Sequence, residues 1–370
     1  MNNNPIYLPG LNGLRAIAAV AVVISHTTIA PNEFGLDNTI LSSSNNGSVQ
    51  GLKLAGFGVS IFFALSGFLI TYLLLNEKEV GKFKIKEFYI RRILRIWPLY
   101  YLYLFLAIVI AIFFNLNIEK SSVPFYIFLA ANIPYILGKT LPFLAHFWSL
   151  GVEEQFYLFF PQIGKLKSNQ IFSISISIIL IWILLKTSLW VLNKTYNLGI
   201  LLDFFYINRF HIMLFGVVAA ILYYKNHQKF IRITTSTIGQ ILAWLLLLLI
   251  TINKFGLSTT LIDEEIVGIL AIFLIMGQVT KTNKFIDLEN MFFDFIGKIS
   301  FGMYVIHPLI IFILSKLTGN LQESLMSYVF VYMAILSLTV MVAYLSYQYY
   351  EKPFLKYKSK FTTVHSVNSK

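Results

Sequence analysis

The sequence predicts an all-α integral membrane protein that crosses the bilayer about ten times, with both termini in the cytoplasm. Three observations carry this reading. Hydrophobic residues make up 57% of the 370 and charged residues only 12%, against about 45–50% and about 25% in a soluble domain. Apolar runs near the length of a bilayer core recur along the chain. Basic residues gather in alternate connecting segments.

About 20 apolar residues span the hydrocarbon core. The candidate segments are 13–31, 52–75, 94–115, 122–138, 146–164, 171–192, 206–224, 236–253, 260–277 and 298–349. The last is long enough for two, and Gly319-Asn320 divides it into 298–316 and 325–347. One candidate, 122–138, contains Pro124, Asn132 and Pro134 and reads better as a re-entrant or interfacial piece of an outer loop. Ten candidates remain once it is set aside.

Orientation follows from charge. With the N-terminus inside, the first cytoplasmic loop holds Lys78, Lys82, Lys84, Lys86, Arg91, Arg92 and Arg95. Later ones hold Lys165, Lys167, Lys225, Lys229, Arg232, Lys281, Lys284 and Lys298, and the tail holds five more lysines. The outer segments hold fewer, among them Lys120, Lys139, Lys194, Lys254 and Lys316. The net charge of +12 is therefore mostly a topology signal and calls for no nucleic acid. The first loop is richer in cations than topology alone requires. No cleavage signal follows the first apolar run, which reads as a retained helix rather than a removed leader. Residues 356–370 read as a disordered cytoplasmic tail, leaving 1–355 as the membrane domain.

Cysteine is absent, which excludes a disulfide scaffold, a thiolate nucleophile and a Cys-ligated metal. There is no Gly-rich nucleotide fingerprint, no HExxH and no GxSxG, and the six histidines lack ligand spacing. No metal and no permanently bound cofactor is expected.

Ionisable residues inside spans are costly and mark function by default. Arg15 and His26 are eleven residues apart in the first span. At about 100° per residue they share one face, about 16 Å apart along the axis. A cation at the inner mouth with an imidazole deeper on the same face suits a ligand lying along the helix. The bland alternative is a snorkelling arginine and a structural histidine. Arg92 and Arg95 share a helix face at the edge of the third span and suit phosphate, or simple anchoring to anionic lipid. Glu153 and Glu154 follow Trp148 at the start of a span and point in different directions. One can face a cavity, and a carboxylate near an imidazole stabilises its protonated form. Ser300-Phe301-Gly302-Met303-Tyr304-Val305-Ile306-His307-Pro308 lies inside a span, where Pro308 frees a backbone carbonyl and His307 can fill the polar gap. Arg209 and His211 stand at the outer entrance of another span, placed to bind a polar substrate. Ser66-Gly67 allows close helix packing.

The set Arg15-x10-His26, Phe62-Phe63-Ala64-Leu65-Ser66-Gly67-Phe68-Leu69-Ile70, Arg92-x-x-Arg95, Trp148-Ser149-Leu150-x-x-Glu153-x-x-Phe156-Tyr157, Ser300-x-x-x-Tyr304-x-x-His307-Pro308 and Glu351-Lys352-Pro353 resembles the acyltransferase family 3 membrane proteins. The resemblance runs in order from about residue 5 to 355. It implies an enzyme that takes an acyl group, acetyl by default, from cytoplasmic acyl-CoA and places it on a hydroxyl of a cell-surface carbohydrate. By position, it makes His26 the catalytic histidine and Arg15, Arg92 and Arg95 the acyl-CoA ligands. Glu153 matches the family carboxylate better than Glu154. The expected roles are His26 as general base, Glu153 as support for its imidazolium, and Arg209, Glu154, Tyr304, His307 and Ser66 as substrate-binding residues. The expected partners are acyl-CoA, a carbohydrate acceptor and the bilayer of a bacterial plasma membrane, with the stand-alone form of the family expected. Two rivals stay open: a glycolipid or polysaccharide transporter, and an acyltransferase for a cytoplasmic-side acceptor.

Overall fold

Backbone in hydrocarbon has no water to bond, so an apolar run closes its hydrogen bonds internally as a helix. The computed structural model describes residues 7–37, 43–45, 48–50, 54–251, 261–282 and 285–362, and it is helical almost throughout. The helices are α1 (Leu11–Thr28), α2 (Leu54–Glu79), α3 (Ile85–Phe113), α4 (Val123–Ile127), α5 (Asn132–Ile136), α6 (Trp148–Ile163), α7 (Ser168–Leu192) and α8 (Gly199–Ile207). They continue as α9 (Phe210–Tyr224), α10 (Gln228–Thr234), α11 (Thr237–Thr251), α12 (Asp263–Thr280), α13 (Met291–Thr318), α14 (Leu325–Ser346) and α15 (Lys352–Ser359). Two three-residue strands, Ser43–Asn45 and Ser48–Gln50, pair antiparallel in the loop after α1.

This is a multi-pass membrane protein. Among the described residues, seven helical segments are long and apolar enough to cross a bilayer, or up to eight if α10 and α11 form one span across their 50° bend. The sequence predicts ten, and the difference has local causes. Helix α6 has 16 residues, about 24 Å of rise against a core of about 30 Å. Helix α11 has 15. Helix α12 opens with Asp263, Glu264 and Glu265. The segment 122–138 folds as two five-residue helices, neither long enough to span. Helices α3, α7, α11 and α14 turn Phe105, Leu184, Leu245 and Met333 outward, apolar faces that suit lipid rather than water.

Helix α1 sits at the centre, packed between α2 and α13 with α14 beside it. Its small buried residues, Ala16, Ala18 and Ala19, permit this close approach. Helix α2 also crosses α9 at very short range. A Cβ at Gly67 would overlap the Met213 carbonyl oxygen, and one at Gly216 would overlap that of Ala64. Ser66 therefore stands next to a contact that backbone alone fills. Replacing Gly67 by valine is expected to cost about 1–3 kcal/mol through overpacking. A lowered thermal midpoint of the detergent-purified variant measures it, and an unchanged midpoint would refute the close contact.

The N-terminal ends of α1, α3 and α13 meet the C-terminal ends of α2 and α14 at one end of the bundle, the basic end. The described residues continue there through α15 to Thr362. The rest of the expected tail, 363–370, lies outside the described residues.

Candidate active site

Two cavities run inward from the basic end. The outer one has a volume of about 360 Å³ and is walled by Arg15, Arg91, Arg92, Arg95, Lys298 and Lys358 together with Leu8, Leu69, Leu288, Glu351 and Leu355. The inner one, about 80 Å³, is narrower and lined by Val59, Phe62, Phe63, Ile96, Ser66, Ser149, Glu153, Tyr157 and Tyr304. They share Arg15, Leu69, Arg92, Arg95 and Phe301, so three arginines ring the passage between them.

The cations of the passage are not spent on protein carboxylates. Arg91 is: it pairs with Glu77 at 2.9 Å and donates to the Phe361 carbonyl at 2.8 Å. Among the described residues, Arg15, Arg92 and Arg95 make no ion pair within 4 Å. Arg15 donates to the Asn12 side-chain oxygen at 3.0 Å. Arg92 lies over the rings of Phe88 and Tyr157, at 5.5 and 4.9 Å from their centroids, and its Nε is buried without a partner. The three repel one another. Glu351 and Glu153 line the outer and inner cavities without pairing to them, so the three arginines still offer an anion a cationic site.

Glu153 stands on the inner cavity wall, where it accepts hydrogen bonds from the hydroxyls of Ser66 and Tyr157. At the far wall, Tyr304 donates to the His146 carbonyl at 2.8 Å and meets the Ser149 hydroxyl at 2.5 Å.

Behind that wall three imidazoles cluster. His26 Nδ1 lies 2.6 Å from His307 Nε2, and the rings of His146 and His307 are 5.2 Å apart at their centroids. Backbone carbonyls fix the protons, because a carbonyl only accepts. His307 Nδ1 faces the Met303 carbonyl at 3.1 Å and must carry hydrogen. In the neutral ring Nε2 is then a lone pair, so His26 Nδ1 is the donor between the two rings. The remaining nitrogen, His26 Nε2, is left as the base. His146 Nε2 is likewise 3.1 Å from the Val305 carbonyl and donates to it. Pro308, which cannot donate to the carbonyl four residues back, sits immediately after His307 and breaks the ladder where these rings gather.

A basic entrance, an arginine ring and a narrow interior suit a phosphorylated donor, and the oriented imidazole of His26 stands behind the wall of the inner cavity, lining neither of the two. Comparison with known families decides the class. The family model described as an acyltransferase domain matches residues 8–347. The chain belongs to acyltransferase family 3. Among its relatives, the protein named "Putative O-acetyltransferase SACOL0978" of Staphylococcus aureus (strain COL) is 29% identical over 393 residues, covering 95% of this chain and 58% of that protein. The O-acetyltransferase OatA of Staphylococcus aureus (strain NCTC 8325 / PS 47) is 26% identical over 404 residues, with the same 95% and 58% coverage. The chain thus spans under two thirds of the length of these curated relatives. No solved structure matches it.

Within this family member, the structure redistributes several residues singled out from sequence. The place beside His26 that sequence reasoning gives to Glu153 belongs to His307, which is 0% exposed. Glu153 instead faces the cavity next to the arginines. Ser66 and Tyr304 line that same cavity. Glu154 turns toward α3, where it accepts from Trp97 Nε1 at 2.9 Å, and it lines neither cavity. Arg209 pairs with Glu264 at 2.6 Å and lies over the Trp148 ring. His211 pairs with Glu265 at 3.0 Å. Both are held by structural partners rather than open to a ligand. His146 was missed, although it directly precedes the Phe147-Trp148-Ser149-Leu150 motif. Among the described residues, no group of three or more His, Cys, Asp or Glu side chains is arranged to hold a metal ion.

Proposed function

We propose that this chain is a membrane-embedded O-acyltransferase that moves an acyl group, acetyl by preference, from acyl-CoA to a hydroxyl of a cell-surface polysaccharide or lipid-linked glycan. The observation that carries this reading is the pair of joined cavities, wide and cationic outside and narrow and largely apolar inside, with unpaired arginines at the junction. The nucleotide phosphates suit the outer cavity, and a thin acyl-pantetheine arm suits the inner one. The names of the relatives support acetyl and O-transfer.

Acyl-CoA is cytoplasmic, so the reading sets the basic end inside, both termini with it, and ten crossings in a bacterial plasma membrane. The excess of lysine and arginine at that end supports the same orientation. In the reaction, His26 Nε2 takes the proton from the acceptor hydroxyl as its oxygen attacks the thioester carbonyl carbon. The C–S bond breaks, and the imidazolium returns the proton to the departing CoA thiolate. The His26 Nδ1–H bond to His307 strengthens as the positive charge forms.

The test is transfer of radiolabel from acetyl-CoA to envelope glycan by membranes holding the native chain. Incorporation is expected, and its absence with every short acyl-CoA would sink the reading. Replacing Arg92 and Arg95 together by alanine removes two charge-assisted phosphate contacts of about 1.5–3 kcal/mol each. KM for acetyl-CoA should then rise by at least about a hundredfold with kcat changed much less. A fall in kcat alone would argue against donor binding there.

A further inference from the structure

The C-terminal helix α15 has two faces. Leu355 and Lys358, three residues apart, line the outer cavity. Lys352 and Lys356, four apart, form a separate exposed stripe. Lys356 and Lys358 are about 200° apart around the axis. The exposed stripe is what a juxtamembrane helix needs to meet anionic lipid. Lys358 does not fit that purpose, because it lines the outer cavity together with Arg15, Arg91, Arg92 and Arg95. Among the described residues it makes no ion pair. The segment is also tied down over the cavity: Tyr350 donates to the Pro98 carbonyl at 3.2 Å, and Arg91 holds the Phe361 carbonyl. Six cations and four carboxylates, Glu77, Glu289, Asp294 and Glu351, line this cavity, and the excess of positive charge favours an anion bound in the space they share.

Lys358 lines the outer cavity and not the inner one, whereas Arg15, Arg92 and Arg95 line both. With the thioester directed inward, the diphosphate of acyl-CoA meets the junction arginines first. The phosphate on the ribose lies farther out. We propose that Lys358 is the ligand of this 3′-phosphate, which makes the C-terminal helix part of the donor site rather than a tail. The inference rests on the acyl-CoA reading of the cavities.

The test uses the purified full chain in phosphatidylcholine nanodiscs, with CoA and 3′-dephospho-CoA as probes in calorimetric titration. The native chain should bind CoA about tenfold more tightly than 3′-dephospho-CoA, a difference typical of one charge-assisted contact. Lys358→Gln should lower CoA affinity by about the same factor and leave 3′-dephospho-CoA unaffected. Lys356→Gln, on the outward stripe, should change neither. A Lys358→Gln variant that weakens both probes equally, or neither, overturns the assignment while leaving the acyl-CoA reading intact. A native chain that binds neither probe overturns both. Repeating the titration with phosphatidylglycerol in the discs separates a donor phosphate from a lipid headgroup. The discrimination between probes should persist, and its disappearance would assign Lys358 to lipid instead.

Discussion

Replacing His26 by alanine should lower acyl transfer by about 10²–10⁴-fold, the usual contribution of a general base, while binding of CoA stays near native. The separation is physical. In the proposed function, donor affinity comes from cations at the basic end, whereas His26 lies about 16 Å further along α1 and contacts His307 rather than any of them. His307→Ala should fall between the native chain and His26→Ala, because His26 keeps its ring but loses the acceptor that holds the proton on Nδ1. His307→Gln retains a side-chain carbonyl and should recover part of the loss. Initial rates with saturating acetyl-CoA decide the matter. A His26→Ala variant at native rate ends the catalytic assignment. Equal losses for His307→Ala and His307→Gln would reduce His307 to packing.

That pair also shows what the sequence could and could not yield. Arg15 and His26 were legible because they sit on one helix, where 3.6-residue periodicity converts spacing into direction. Their partners were not. The contact from His26 to His307 joins residues 281 apart in sequence, and no periodicity reports which helices of a bundle are neighbours. Glu153 carried the same ambiguity. A carboxylate beside an aromatic motif at a helix start can serve an imidazole or a cavity; Tyr157, one turn along the same helix, takes it together with Ser66, 87 residues away in sequence on α2. His146 sits in a single 3₁₀ turn before α6, too short for any pattern. Long apolar runs declare their helices, whereas α6 and α11 are too short and α12 too acidic at its start for length and composition to mark them as spans.

Removing the Glu265 carboxylate should be the most destabilising single change in the bundle, about 3–5 kcal/mol, the range for stripping one partner from a buried ion pair. Lys186 on α7 is 1% exposed, lies 2.7 Å from Glu265 on α12, and drew no notice in the sequence because it is lost in an apolar run. The same carboxylate oxygen also meets His211 on α9 at 3.0 Å, and the Trp182 ring stacks on that imidazole at 5.9 Å. Three helices thus share one anion. Glu265→Ala leaves the buried Lys186 ammonium without its hydrogen-bonded carboxylate, and the variant's thermal midpoint in detergent should drop well below that of the native chain. Lys186→Met combined with Glu265→Leu removes both charges and should regain most of the loss, since well-packed hydrophobic pairs replace buried ion pairs at little cost. A double variant no more stable than Glu265→Ala would mean that His211, not Lys186, is the partner that matters. The consequence reaches the site, because α9 also abuts Gly67 on α2, next to the Ser66 hydroxyl that holds Glu153. Loosening α9 should therefore raise KM for acyl-CoA before the protein unfolds, although no residue of the ionic cluster touches either cavity.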